Sequence, residues 1–115
     1  MVAVIALVLW LLPSVVQATT YYVSTTGSDA NNGLSEETPF LTVKKGTDTM
    51  AGGDTVLVRG GTYTEQHIVR IRYSGSPSSP TKLAAYPGEL PIINFVDGIT
   101  GNTERVLVIQ QNAGA

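Results

Sequence analysis

The sequence predicts an all-β fold in which one short helix precedes a run of brief strands. Three observations carry this. Strand-like segments begin near residues 55, 64, 82, 91 and 105, with no helical pattern between them. Turn chemistry separates them, at Gly60-Gly61, in Ser74 to Pro80 and at Pro87-Gly88. The stretch Gly53 to Tyr63, GDTVLVRGGTY, joins an apolar strand, Thr55 to Val58, through the glycine pair to a second extended segment running from Thr62 to Ile71. Its lack of polar alternation before Arg59 is the pattern of a strand buried on both faces, as in parallel sheets. One turn of a parallel solenoid is the simplest reading, and a β-hairpin is the alternative, because a glycine pair between apolar runs marks hairpin turns too. Five short strands without crossover helices fit a sandwich, a barrel or a β-helix.

The first eighteen residues are set apart from the fold. Val2 to Leu12 is an unbroken apolar run, Pro13 and Ser14 break it, and Val16-Gln17-Ala18 puts small residues where a signal peptidase cuts. Cleavage is expected after Ala18. No Lys or Arg precedes the run, so the α-amino group alone supplies positive charge there. The run falls well short of the roughly 20 residues that span a bilayer, which makes a membrane anchor the weaker alternative. The expected location is therefore secreted, cell-surface or periplasmic, by bacterial-type export.

All the charge lies in the remainder, seven basic against nine acidic residues for a net of −2. The basic residues are scattered, with no basic helix or aromatic platform, so nucleic acid is not an expected partner. The chain has no cysteine, so an exported domain of this size depends on packing, backbone hydrogen bonds or a bound ion rather than on disulfides.

Thr20 to Ser24 (TYYVS) is β-prone and is the expected first strand. Thr26 to Glu37 is a loop dense in Gly, Asn, Asp and Ser, long enough to be functional or held by its own contacts. A helix follows, capped either by Thr38 with Pro39 at its first position or by Thr42, and an irregular turn is the alternative. Phe40, Val43, Thr47 and Met50 share one face at helical spacing, and Gly46 weakens the helix by about 1 kcal/mol relative to alanine. Gly52-Gly53 ends it. After the central stretch, Thr64 to Tyr73 alternates loosely, Lys82 to Tyr86 is a third strand, Pro91 to Val96 a fourth and Arg105 to Ile109 a fifth, with a polar loop at Asp97 to Glu104. A β-helix coil returns to the same face after roughly 20 to 30 residues, which allows one full coil here and part of a second.

The segments YYVSTTGSDANNGLSEETPFLTVKKG, GGDTVLVRGGTYTE and SGSPSSPTKLAAYPGELPIINF, in that order, resemble the amino-terminal region of secreted right-handed parallel β-helix proteins of the pectate-lyase-like superfamily. They are most similar to its polysaccharide lyases and uncharacterised bacterial surface proteins, over Tyr21 to Phe95. The resemblance implies a leader (1–18), an amino-terminal strand, loop and capping helix (19–54), and the first coils of the solenoid (55–115). By analogy the helix from Thr42 to Met50 covers the first coil, so that its edge does not recruit other chains. Tyr63 and Tyr86 match residues at coil corners, and Gly60-Gly61 and Pro87-Gly88 match turns between sheets. Gly46 and Thr47 stand where the family usually has apolar helix formers, and Gly52 where proline commonly precedes the Gly53-Asp54 pair.

In the resembled lyases a Lys or Arg base and a cation or positive side chains act on middle coils, so no catalytic, cofactor-binding or metal-ligating residue is assigned in this chain; the cofactor stays open, with calcium the candidate for the full-length protein. The implied function is a lyase acting on a uronate polymer such as pectate or alginate. The alternative is a non-catalytic surface or adhesin-type solenoid that binds glycans or partners. A solenoid ending just after Arg105 to Ile109 would expose unpaired strand edges, so the chain is expected to be the beginning of a longer protein.

Individual polar residues have two readings each. Asp29, Asn31 and Asn32 offer oxygen ligands to calcium, but without the spacing of a known calcium loop, and turn stabilisation is the preferred role. Asp54 precedes the buried strand, where capping a turn is preferred over catalysis. His67, the single histidine, has no companion ligand and reads as solvated. Arg59, Arg70 and Arg72 are candidates to line a groove for an anionic sugar polymer, although Arg70 and Arg72, two apart on a strand, share a face that is also a plausible solvated one.

Overall fold

The computed structural model describes residues 17–66, 69–96 and 103–109, with 103–108 described by their backbone alone. The elements in chain order are β1 (Thr20–Val23), α1 (Val43–Thr49), β2 (Thr55–Val58), β3 (Gly61–Glu65), β4 (Gly75–Ser76), β5 (Ser79–Pro80), β6 (Lys82–Ala85), β7 (Pro91–Val96) and β8 (Thr103–Val108). β1, β2 and β6 form one parallel sheet in that order, and β3 pairs in parallel with β7 in a second.

This topology decides between hairpin and solenoid. β2 and β3 are joined only by Arg59-Gly60, yet they belong to different sheets, so the glycine pair is a corner. Thr55 pairs with Lys82 and Gly61 with Pro91, so the chain returns to the same sheet after 27 and 30 residues respectively. That is the step of a solenoid coil. Gly61 holds φ +130°, and a Cβ there would stand 2.9 Å from Thr25 Cγ2, so the corner requires glycine for conformation and for space.

The core lies between the sheets and under the helix. Val23, Val56, Val58 and Ile93 are fully buried with Phe40, Val43, Met50 and Tyr63; each such side chain contributes about 1.5–3 kcal/mol through removal from water. β2 is not buried on both faces, because Val56 and Val58 point inward while Thr55 and Leu57 are half-buried. Its apolar outward position is explained by stacking, since Tyr22, Leu57 and Ala84 are register partners along the outer face.

The helix begins at Thr42 rather than at Thr38-Pro39. The Thr42 side chain accepts from the Lys45 amide at 3.1 Å, whereas Phe40 is spent on β1: its amide donates to Tyr22 O and its carbonyl accepts from the Ser24 amide, both at 2.8 Å. The loop thus covers the free edge of β1, a task the resemblance gave to the helix. Gly46 and Thr47 have a packing role in the cap. A Cβ on Gly46 would stand 3.0 Å from a Val56 methyl and 3.1 Å from a Val23 methyl, so glycine lets the helix approach the sheet, and Thr47 is itself buried.

Three further expectations are corrected. The extended segment after the corner ends at Glu65, the last residue paired with β7, instead of continuing to Ile71 or Tyr73. Ser74 to Pro80 contains the two-residue antiparallel ribbon of β4 and β5. The last strand starts at Thr103 and folds back antiparallel onto β7, with a bulge between Phe95 and Val96, instead of extending the parallel stack. Residues 1–16, His67, most of the Asp97 to Glu104 loop and the end of the chain beyond Ile109 lie outside the described residues.

Candidate functional site

The loop between β1 and α1 uses its polar side chains on itself. Asp29 Oδ1 accepts from the Leu41 and Thr42 amides at 2.9 and 3.0 Å, and Oδ2 accepts from the Thr42 hydroxyl at 2.8 Å. Asn31 Nδ2 donates to Pro39 O at 2.8 Å, and Asn32 Oδ1 accepts from the Leu34 amide and the Thr38 hydroxyl, both at 2.9 Å. Among the described residues no group of three or more His, Cys, Asp or Glu side chains is placed to hold a metal ion.

Asp54 is buried just before β2. Its Oδ1 accepts from the Thr19 amide at 2.9 Å and its Oδ2 from the Ala51 amide at 2.8 Å, which fastens the entry to β1 to the exit of α1. Gly53 beside it holds φ +87°, and a Cβ there would meet Ser79 Oγ at 2.9 Å.

The corners of two successive coils meet at Arg59. Its guanidinium grips Glu89 with two prongs, Nε to Oε1 at 3.0 Å and Nη2 to Oε2 at 2.9 Å, and lies 4.2 Å over the Tyr86 ring. Glu89 Oε1 also accepts from the Gly60 amide at 2.7 Å, and Glu36 stands 4.0 Å from Arg59 Nη1. The Arg59 hydrogen bonds and the Gly60 amide hold the Glu89 carboxyl below its ordinary value. A hydrogen bond with Glu36, then burial, pushes the Tyr86 hydroxyl up. The Pro87-Gly88 turn, with Gly88 at φ +77° and the Glu89 amide donating to Tyr86 O at 3.0 Å, presents Glu89 to this corner. Tyr63 lies inside it, nearly buried, and donates its hydroxyl to Arg59 O at 2.7 Å. Burial first, and the Glu89 charge second, push its ionisation up to about 12. Arg59 is thus committed to joining coils.

Arg70 and Arg72 stand in exposed chain outside any strand, so their spacing does not put them on one sheet face. Arg72 borders an open groove of about 560 Å³ with Gly52, Gly53, Tyr73, Ser74 and Ser79. Its Nη2 lies 3.5 Å from Asp48 Oδ1, and Asp48 is also paired with Lys44. This groove is the candidate binding site. Of the three arginines singled out in the sequence, only Arg72 lines it. Tyr73 was not singled out, although an aromatic next to an arginine at the mouth of a Ser/Gly/Pro loop was a visible signal. Glu36 and Glu89, and Glu65, whose Oε1 accepts from the Val43 amide at 2.7 Å, left no local signal, because their partners are distant in sequence.

A family model described as Pel9A-like, right handed beta helix region, matches residues 21–113. The chain belongs to this family. The Pel9A-like chain is 39% identical over 84 residues to pectate lyase PEL9 of Emericella nidulans, a match covering 73% of this chain and 20% of that protein. It spans about a fifth of that relative's length. Among solved structures it is similar to a rhamnogalacturonan lyase, with TM-score 0.56 and 27% identity over 66% of this chain and 22% of that one. It is also similar to XylC in complex with xylose, with TM-score 0.55 and 32% identity over 64% of this chain and 11% of that one. These likenesses and the parallel pairing of β1-β2-β6 and of β3-β7 make the Pel9A-like chain a partial right-handed β-helix. Among its described residues no helix is long and apolar enough to cross a membrane.

Proposed function

We propose that this chain is the amino-terminal part of an exported polysaccharide lyase that cleaves a uronate polymer of pectate or alginate type, with residues 1–18 as its export signal. The observation that carries the reading is the family match over 21–113, supported by the 39% identity to a pectate lyase. The apolar run before Val16-Gln17-Ala18 supports export.

In β-elimination a base removes the C5 proton beside the uronate carboxylate. The electron pair becomes the C4–C5 double bond, the C4–O bond breaks, and the departing sugar oxygen takes a proton. The described residues do not offer a calcium cage, since the Asp29, Asn31 and Asn32 side chains are engaged in loop hydrogen bonds. They contribute the rigid start of the solenoid: the loop that covers β1, the helix over the core and the Arg59–Glu89 link between coils. Chemistry falls to later coils.

The test is to incubate the protein encoded by the whole reading frame with pectate and with alginate, with and without calcium, and follow the absorbance of the unsaturated product. Formation of that product is expected. Binding of the polymer without any unsaturated product would overturn the lyase reading in favour of a glycan-binding surface solenoid.

A further inference from the structure

Tyr73 is 57% exposed, the most exposed of the large apolar side chains among the described residues. It lines the groove with Arg72, the glycines Gly52, Gly53 and Gly75 and the serines Ser74, Ser76 and Ser79. A Cβ on Gly75 would lie 2.5 Å from Ser79 O and 2.7 Å from Thr81 N, so the backbone there is too tightly packed for a side chain at position 75 and the lining stays open and polar. Beside the ring, the Arg72 side chain is 60% exposed and its guanidinium touches Asp48 only at 3.5 Å. Asp48 takes its main hydrogen bond from Lys44, and Lys44, Arg72 and Lys45 all lower its ionisation. Three cations around one carboxylate leave a local excess of positive charge in a chain whose net charge is −2.

An exposed ring, a forked cation and an open polar lining are the recognition elements of an anionic sugar: the ring takes an apolar sugar face, the guanidinium a carboxylate, and backbone and serine groups the hydroxyls. We propose that the Arg72–Tyr73 groove is a non-catalytic binding site for a uronate unit of the glycan chain, holding polymer at the amino-terminal end of the solenoid while chemistry proceeds elsewhere. The proposal rests on the uronate reading for the identity of the sugar. Arg59 has no part in it.

The experiment is calorimetric titration of the full-length protein with a pectate oligomer and with its neutral methyl ester, at low and moderate salt, for the parent, Tyr73→Ala, Tyr73→Phe, Arg72→Ala and Asp48→Asn. Tyr73→Ala and Arg72→Ala should each weaken pectate binding about tenfold, roughly the loss of 1.4 kcal/mol, with an unchanged melting midpoint because both side chains are exposed. Tyr73→Phe should bind as the parent does. Asp48→Asn should bind several-fold more tightly, since it frees Arg72, and this gain should shrink with salt. Unchanged affinity in Tyr73→Ala and Arg72→Ala, or weaker binding in Asp48→Asn, would overturn the groove. These outcomes are separable from the lyase reading: a protein that forms unsaturated product but binds equally well in all variants has lost only the groove. One that binds pectate through Tyr73 and Arg72 without forming product has lost only the lyase.

Discussion

Arg59 and Glu89 lie 30 residues apart and meet as a two-pronged ion pair, Nη2 to Oε2 at 2.9 Å, at the point where one coil passes over the next. The same carboxylate accepts the Gly60 amide, so a side chain of the second coil fixes the backbone of the first corner. This links the turn chemistry of the sequence to the stacking of the solenoid.

Glu89→Gln and Arg59→Ala should each lower the thermal midpoint, and the double variant should fall by less than the sum of the two. The Glu89 carboxyl is held below its ordinary value in the fold. Its contribution is therefore complete above the ordinary glutamate range and is lost as pH falls through the lowered folded value. Thermal melts between neutral and acidic pH should show this acid-sensitive component in the parent and its absence in Glu89→Gln.

Gly61 and Gly88 both have positive φ, at +130° and +77°, but only Gly61 has a neighbour where a Cβ would go. Gly88→Ala should cost about 1–2 kcal/mol for the left-handed backbone. Gly61→Ala should cost more, about 3 kcal/mol, because the clash with Thr25 adds to the strained conformation. Denaturant unfolding of the two variants separates sterics from backbone strain, and equal costs would contradict the assigned corner geometry.

Tyr63 should ionise at about pH 12, and Tyr86 later than ordinary tyrosine. For Tyr63 the folded value lies above the unfolded one, so its contribution holds below the ordinary tyrosine value near 10 and disappears as pH rises toward 12. Ultraviolet titration of tyrosinate, compared with Tyr63→Phe, identifies the late component. Tyr63→Phe itself should cost about 1 kcal/mol for the lost hydrogen bond to Arg59 O.

Asp54→Ala strands two donors, the amides of Thr19 and Ala51, and should destabilise by about 3 kcal/mol. Asp54→Asn keeps one acceptor oxygen and should cost about half as much. Hydrogen exchange should show the loss concentrated at the β1 entry and the helix exit, and uniform loss across the chain would contradict a local clasp.

The sequence by itself determined where β1, β2, β6 and β7 lie, because apolar or β-branched runs such as Thr55–Val58 and Pro91–Val96 are bounded by glycine, proline and polar turns. Helical spacing also placed Val43 and Thr47 on the buried face of α1, whereas Phe40, expected on that face, lies before the helix and is buried through its bridge to β1. Only the tertiary structure decided that Gly60-Gly61 is a corner rather than a hairpin, since the local chemistry of the two turns is alike and the pairing partners lie 27 and 30 residues away. The choice of Thr42 over Thr38 as cap rested on Phe40 bridging to Val23, and the need for Gly46 on the methyls of Val56 and Val23. Arg59 reads locally as a free cation until Glu89 arrives from the next coil, and Tyr73 as a loop residue until the fold brings Gly53 and Ser79 to the same groove. In each case the deciding interaction joins segments distant along the chain, and propensity, periodicity and turn chemistry report only on neighbours.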